Sequence, residues 1–243
     1  MLRAGSGTPP VVLLNGAGVG FRHWRKVIGP LAALSMVFAY DRLPPPDARA
    51  APERFGHDTM AALRTLLAEA GLAPPWLLVG HSMGGIYAQL LARHYPQEVA
   101  GIVLVDSAHP AQMRQLEGDF TAIMRWGNGV TGWLDRRFGP GQFTELVLFN
   151  AIGAEVEAAP PFPPVPLTVL TAGRAPAHWL MQKRILTQHL ANQAALAALS
   201  PCGRQQTVAS GHLMPLERPQ AIVAAVAEML DGLRRPDGPR PTP

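Results

Sequence analysis

With 243 residues and 48% hydrophobic content, the chain is long enough for one α/β domain with a sizeable core. No apolar run approaches the ~20 residues that cross a bilayer, and residues 1–7 lack an apolar stretch of signal-peptide length, so a cytoplasmic location is expected. The formal charge of +4 comes without a long basic run or basic–aromatic interleaving, which argues against nucleic-acid binding, and the lone Cys202 allows no intrachain disulfide. Much of the positive excess sits in the tail, where Arg234, Arg235 and Arg240 face only Asp237. With 25 prolines, and Lys26 and Lys183 as the only lysines, the composition looks like the codon bias of a GC-rich bacterial genome, which says little about function.

Val11-Val12-Leu13-Leu14 reads as a buried strand running into the Gly-rich turn Asn15-Gly16-Ala17-Gly18. Residues 24–34 form a short helix, and residues 35–40 a second strand ending at Asp41-Arg42. Leu43-Pro44-Pro45-Pro46-Asp47 is an extended loop. Residues 55–70 are helical, with Met60, Leu63, Leu66 and Leu67 at helical spacing and Gly71 as a C-cap. Trp76-Leu77-Leu78-Val79 is a strand, followed through Gly80-His81-Ser82-Met83-Gly84-Gly85 by a helix that Pro96 stops. Residues 102–105 are a strand ending at Asp106-Ser107, and residues 167–171 another, with Gly173 after it. A helix over 177–199, a strand over 205–209, the turn Ser210-Gly211-His212 and a helix over 218–233 complete the order.

Strands that alternate with helices and are apolar throughout predict a parallel sheet covered on both faces. The alternation breaks over residues 110–164. The expected organisation is therefore a core in two parts, 1–109 and 165–233, an inserted lid at 110–164, and a disordered tail at 234–243. The insertion carries Phe120, Trp126, Trp133, Phe138, Phe143 and Phe149. At the carboxyl edge of the sheet it would lie over a site, with Trp126, Trp133 and Phe143 as substrate contacts. The other reading is that these rings only pack the insertion onto the body.

Gly80-His81-Ser82-Met83-Gly84 is a G-x-S-x-G bounded by a strand and a helix, the pattern of a nucleophile elbow. A serine at the apex of so sharp a turn is strained, and the glycines two residues either side remove Cβ atoms that would collide across it.

These segments, together with Tyr40-Asp41-Arg42, Leu104-Val105-Asp106-Ser107 and Ser210-Gly211-His212-Leu213-Met214-Pro215, resemble the α/β-hydrolase superfamily over nearly the whole chain. Two departures stand out. The usual His-Gly after the first strand is Asn15-Gly16, and the family's leading antiparallel strands are nearly absent. The resemblance implies a serine esterase or lipase-like enzyme with neither metal nor organic cofactor. It would act on a small, fairly apolar ester or related acyl bond.

A serine hydroxyl needs a base to take its proton and a third group to orient that base. Of eight histidines, His212 alone follows the last strand in a turn that could reach Ser82. His81 sits beside the nucleophile, where in the family it supports the elbow. His109 is a reserve base, and His23, His57, His94, His178 and His189 read as surface or packing residues. The family's usual acid position, after strand 167–171, reads Ala172-Gly173-Arg174, and no Asp or Glu occurs from Ala158 to Leu216. The family's other solution, one strand after the nucleophile, gives Asp106, with Asp41, Glu117 and Asp119 as distant alternatives. The oxyanion donors would be the backbone N–H of Met83, at a helix N-terminus, and, by resemblance, that of Ala17.

Dehalogenases and epoxide hydrolases need a carboxylate where Ser82 stands. Lactonase, carbon–carbon hydrolase and perhydrolase chemistry stay open. The competing class is a non-enzymatic ligand-binding or signalling protein on the same scaffold. It is motivated by Asn15, the missing strands and the empty acid position.

Overall fold

The computed structural model describes residues 1–42, 52–116, 145, 148–174 and 183–235. Among them, seven strands make one sheet: β1 (Leu2–Ala4), β2 (Val11–Leu14), β3 (Val37–Ala39), β4 (Trp76–His81), β5 (Val99–Val105), β6 (Leu167–Ala172) and β7 (Gly203–Val208). Their spatial order is β1-β3-β2-β4-β5-β6-β7. Every neighbouring pair is parallel except β1, which runs antiparallel to β3 with Leu2 opposite Ala39 and Ala4 opposite Val37. This short edge strand is the antiparallel strand of the sheet. Its three residues are too few, and too exposed, to leave an apolar pattern in the sequence.

The described helices are α1 (Arg25–Ala32), α2 (Phe55–Glu69), α3 (Met83–His94), α4 (Gln112–Leu116), α5 (Phe149–Ala158), α6 (Lys183–Ala197), α7 (Met214–Glu217) and α8 (Pro219–Arg234). Successive strand side chains point to opposite faces, so a strand apolar at every position feeds two separate cores. Val12, Leu14, Phe38, Leu78, Ile102, Leu104 and Val169 pack on one face with Met60, Leu63 and Leu67 of α2 and Ile86 and Leu90 of α3. Val11, Leu13, Val37, Leu77, Val79, Val103, Val105 and Leu170 pack on the other with Val27 and Leu31 of α1 and Ile222, Val226 and Leu230 of α8. Four parallel registers, from β2–β3 through β5–β6, hold these strands in line. Their carboxyl ends, and the loops that leave them, therefore lie at one edge of the sheet.

Several boundaries differ from expectation. The first helix is split into a 3₁₀ turn, Phe21–Trp24, and α1. Strand β5 begins at Val99, before the Ile102 expected; Gly101, which interrupts its apolar run, sits where a Cβ would come 2.7 Å from Met229 Sδ. Helix α8 extends through Arg234, whose guanidinium donates to the carbonyls of Thr8 (3.0 Å) and Leu34 (2.9 Å). Gly71 ends α2 at φ +68°, the left-handed cap that its position predicts.

Within residues 110–164, the segment expected to be an insertion, Phe149 of α5 is buried in the α2–α3 core. From α5, Glu155 accepts the backbone N–H groups of Gly56 (2.7 Å) and His57 (2.8 Å), donors that the first turn of α2 cannot satisfy itself. Phe120, Trp126, Trp133, Phe138 and Phe143, the loop at 43–47, residues 177–182 and the tail beyond 235 lie outside the described residues.

Candidate active site

Ser82 joins β4 to α3 at φ +52°, ψ −119°, a conformation that costs a non-glycine residue energy and persists only where its surroundings impose it. A Cβ on Gly80 would lie 2.7 Å from the Gly84 carbonyl oxygen, which is the crowding across the turn that the motif predicts. Gly84 and Gly85 are needed for another reason. Their Cβ atoms would come within 2.1 Å of the Leu14 carbonyl oxygen and 1.9 Å of Ser107 Oγ. The elbow is thus wedged between the ends of β2 and β5. The Ser82 carbonyl accepts N–H groups from Gly85 and Ala108, both at 3.1 Å, and its N–H donates to Val105 at 3.2 Å.

Asp106 follows the last residue of β5 at φ +43°, a left-handed position that Asp tolerates better than most residues. Its N–H continues the ladder by donating to Leu170 (2.7 Å). The buried carboxylate meets three donors. His212 Nδ1 lies 2.7 Å from Oδ2, His189 Nε2 lies 3.1 Å from Oδ1, and the Ala172 N–H donates to Oδ1 at 2.9 Å. Ala172 ends β6, where the family more often carries the acid. Here that strand end supplies a backbone donor to Asp106 of the neighbouring strand. Burial pushes the Asp106 carboxyl up, but the hydrogen bonds from His189 and His212 outweigh it and hold the pKa well below the usual carboxylate range. An ionised carboxylate only accepts. His212 therefore carries its proton on Nδ1 and leaves Nε2 free, while His189 carries its proton on Nε2.

His212 is half-exposed, in the loop after β7. The preceding Gly211 N–H donates to Glu217 Oε2 at 2.9 Å, and Glu217 also pairs with Arg174. His81 fixes the other side, donating from Nε2 to the His212 carbonyl at 2.8 Å. The His81 ring lies between those of His23 and His212, with centroids 4.8 Å from each. Burial foremost, then the neighbouring His212, lowers the His81 pKa to about 3, so His81 is neutral across the working range. His23 is likewise lowered, chiefly by burial.

Asn15, in place of the usual His, is fully buried and doubly bonded. Its Nδ2 donates to the Tyr40 carbonyl (2.7 Å) and its Oδ1 accepts the Trp24 indole N–H (2.8 Å). The next residue, Gly16, approaches Ser82 so closely that an added Cβ would lie 3.4 Å from Ser82 Cβ. Ala17 follows, half-buried against the core, and Met83 is buried at the first turn of α3. The loop expected to supply the second oxyanion donor therefore borders Ser82.

Ser82, Asp106 and His212 line one cavity of about 350 Å³, together with Ser107, Ala108, Gln112, Ala172, Arg174, Leu186 and His189. Trp126, Trp133 and Phe143, expected to touch substrate, lie outside the described residues, as do Glu117 and Asp119. Asp41 is elsewhere engaged: its Oδ1 accepts the Phe21 N–H at 2.7 Å. His109 takes the Ala111 N–H on Nδ1 at 3.2 Å and does not line the cavity. Of the histidines read as surface or packing residues, one belongs to the site. His23 packs in the buried ring stack, as a packing residue should, whereas His189 lines the cavity and reaches Asp106. The signal for His189 is the spacing of Leu186, His189 and Gln193, which share one face of α6. Gln193 on that face donates to the Ser107 carbonyl at 2.6 Å.

Sheet order, elbow and site agree in defining an α/β hydrolase. The chain matches the alpha/beta hydrolase family over residues 11–226 and belongs to it. It is 28% identical over 270 residues to a pimeloyl acyl-carrier-protein methyl ester esterase of Edwardsiella ictaluri, spanning 94% of this chain and 95% of that one. Among solved structures it is similar to a hydrolase from Oleispira antarctica, with TM-score 0.64 and 13% identity over 95% of this chain and 93% of that chain. It is also similar to the enol-lactonase of Burkholderia xenovorans LB400, with TM-score 0.63 and 18% identity over 95% of both chains. At such identities these two structures speak to the fold alone. No helix among the described residues is long and apolar enough to cross a membrane.

Proposed function

We propose that this protein is a serine hydrolase cleaving the carboxylic ester of a small substrate through an acyl-enzyme on Ser82, with His212 as base and Asp106 as its orienting acid. One observation carries the reading: a serine at φ +52° and an Asp106–His212 pair at 2.7 Å open onto the same cavity. The full-length relationship to a methyl ester esterase supports the reaction class.

Ser82 Oγ attacks the ester carbonyl as His212 Nε2 takes its proton, while Asp106 Oδ2 accepts the Nδ1–H and stabilises the imidazolium. The oxyanion is met by the backbone N–H groups of Ala17 and Met83, the latter helped by the α3 dipole. His212 then protonates the departing alcohol. Water, deprotonated by the same imidazole, releases the acid and restores Ser82. The described wall pairs Gln112, Arg174 and His189 with Ala108, Ala172 and Leu186, so it offers polar as well as apolar contacts. The binder alternative drew on Asn15, but that side chain's two buried hydrogen bonds make it a strut rather than a lesion.

The test is hydrolysis of p-nitrophenyl esters from acetate to decanoate by wild type and by Ser82→Ala. Serine-dependent turnover is expected, with the variant about 10⁶-fold slower, as when other enzymes lose this nucleophile. A Ser82→Ala protein that keeps wild-type turnover rejects the reading. The chain-length optimum sizes the acyl pocket.

A further inference from the structure

Arg42, just beyond β3, is nearly fully buried, with its side chain 5% exposed. Its guanidinium grips three groups at once. Nε and Nη2 take both oxygens of Glu145, the latter at 2.7 Å, while Nη1 donates to the Asn15 carbonyl at 2.9 Å and Nη2 to the Gly16 carbonyl at 3.2 Å. Tyr87, from α3, donates to Glu145 Oε1 at 2.8 Å, and its ring lies 4.4 Å beneath the guanidinium carbon. The network joins β3, the insertion and the elbow helix, and it ends on the two carbonyls that precede Ala17.

We propose that Arg42 is a positioning residue for the oxyanion loop and that Glu145 holds it in place. The inference rests on the serine-hydrolase reading. A peptide unit is planar and trans, so its C=O and its N–H point in opposite directions. With the Gly16 carbonyl turned toward Arg42, the Ala17 N–H of the same unit faces away from it. Gly16 itself comes within van der Waals reach of Ser82 Cβ. Releasing the two carbonyls lets the Asn15–Ala17 units rotate, and a rotated unit presents a carbonyl where the developing oxyanion needs a donor. The fork geometry matters, because four hydrogen bonds to three groups are beyond the single ammonium of lysine. A buried ion pair of this kind is seldom worth more to stability than an apolar pair of like size, so fold maintenance alone accounts poorly for it.

The experiment compares wild type, Ser82→Ala, Arg42→Lys and the double variant Arg42→Met/Glu145→Met, which leaves no bare charge in the core. It reads kcat and KM on the best p-nitrophenyl ester, and Ki for an alkyl trifluoromethyl ketone, which adds to a serine as a tetrahedral oxyanion. The double variant is expected to melt near wild type and to lose about 10²-fold in kcat, the cost of one oxyanion donor. Its KM should stay within about threefold, and the ketone Ki should rise in step with the loss. Arg42→Lys should lose roughly tenfold in kcat, and it carries the test if the double variant does not fold. A folded double variant, or Arg42→Lys, with wild-type kcat overturns the inference, as does a loss that falls entirely on KM. If Ser82→Ala is inactive in the same assay, only this inference is lost. If Ser82→Ala turns over like wild type, the serine reading falls and takes this one with it.

Discussion

Burial alone would push the Asp106 carboxyl toward neutrality, and the two imidazoles reverse the sign. The carboxylate is therefore charged at neutral pH, and as an acceptor it favours the His212 tautomer that leaves Nε2 free. Replacing Asp106 by Asn substitutes an amide whose NH₂ can face Nδ1 and favour the wrong tautomer. kcat on the preferred ester should fall about 10⁴-fold with little change in KM, which steady-state kinetics will check. His189 acts on the opposite oxygen. His189→Gln keeps a donor and should cost only a few-fold. His189→Ala leaves Asp106 Oδ1 with the Ala172 N–H and should cost roughly tenfold in kcat/KM. Equal rates for wild type and His189→Ala would make the second imidazole incidental to catalysis.

The elbow is a junction of elements, and its glycines divide by what they touch. A Cβ on Gly84 would meet the Leu14 backbone at 2.1 Å, inside a four-residue buried strand with no room to retreat. Gly84→Ala should cost about 3 kcal/mol or more of stability. Gly232, in α8, has nothing within 4 Å of the same position and an ordinary backbone. Gly232→Ala should add about 0.5–1 kcal/mol by restricting the unfolded chain. Denaturant melts of the pair read both signs, and similar shifts would remove the steric argument. The same junction shows how far a sequence carries. The β2, β4 and β6 strands and helices α2 and α3 were legible because each couples a periodic or unbroken apolar run to a glycine or proline stop. Strand β1 was not, since three half-exposed residues pair only because β3 offers an open edge. Ser82 stood out through its local motif, whereas His212 and Asp106 needed family topology to bring residues 106 positions apart together. His189 had only its helix-face spacing with Leu186 and Gln193, and Arg42 had no local signature. Their meaning comes from partners 83 and 103 positions away.

At the scale of the whole molecule, the buried histidines tie distant segments into one pH-dependent unit. His81 ends β4, stacks on His23 from the turn before α1, and bonds the backbone of His212 after β7. Unfolded, its imidazole would take a proton near pH 6.5, but in the fold it resists protonation until about 3. The folded value is the lower one, so the unfolded chain binds the extra proton as pH falls. The stabilisation is complete above pH 6.5 and is lost on acidification toward pH 3. At 1.36 kcal/mol per pH unit, the loss between pH 6.5 and pH 4 is about 3 kcal/mol, and His23, lowered in the same direction, adds to it. Wild-type melting temperature should therefore drop steeply between pH 7 and pH 4. His81→Gln retains an N–H for the His212 carbonyl but cannot take up a proton. It should melt lower than wild type at pH 7, yet lose distinctly less stability on acidification. Parallel pH profiles for the two proteins would place the acid sensitivity in other groups and reduce the ring stack to packing.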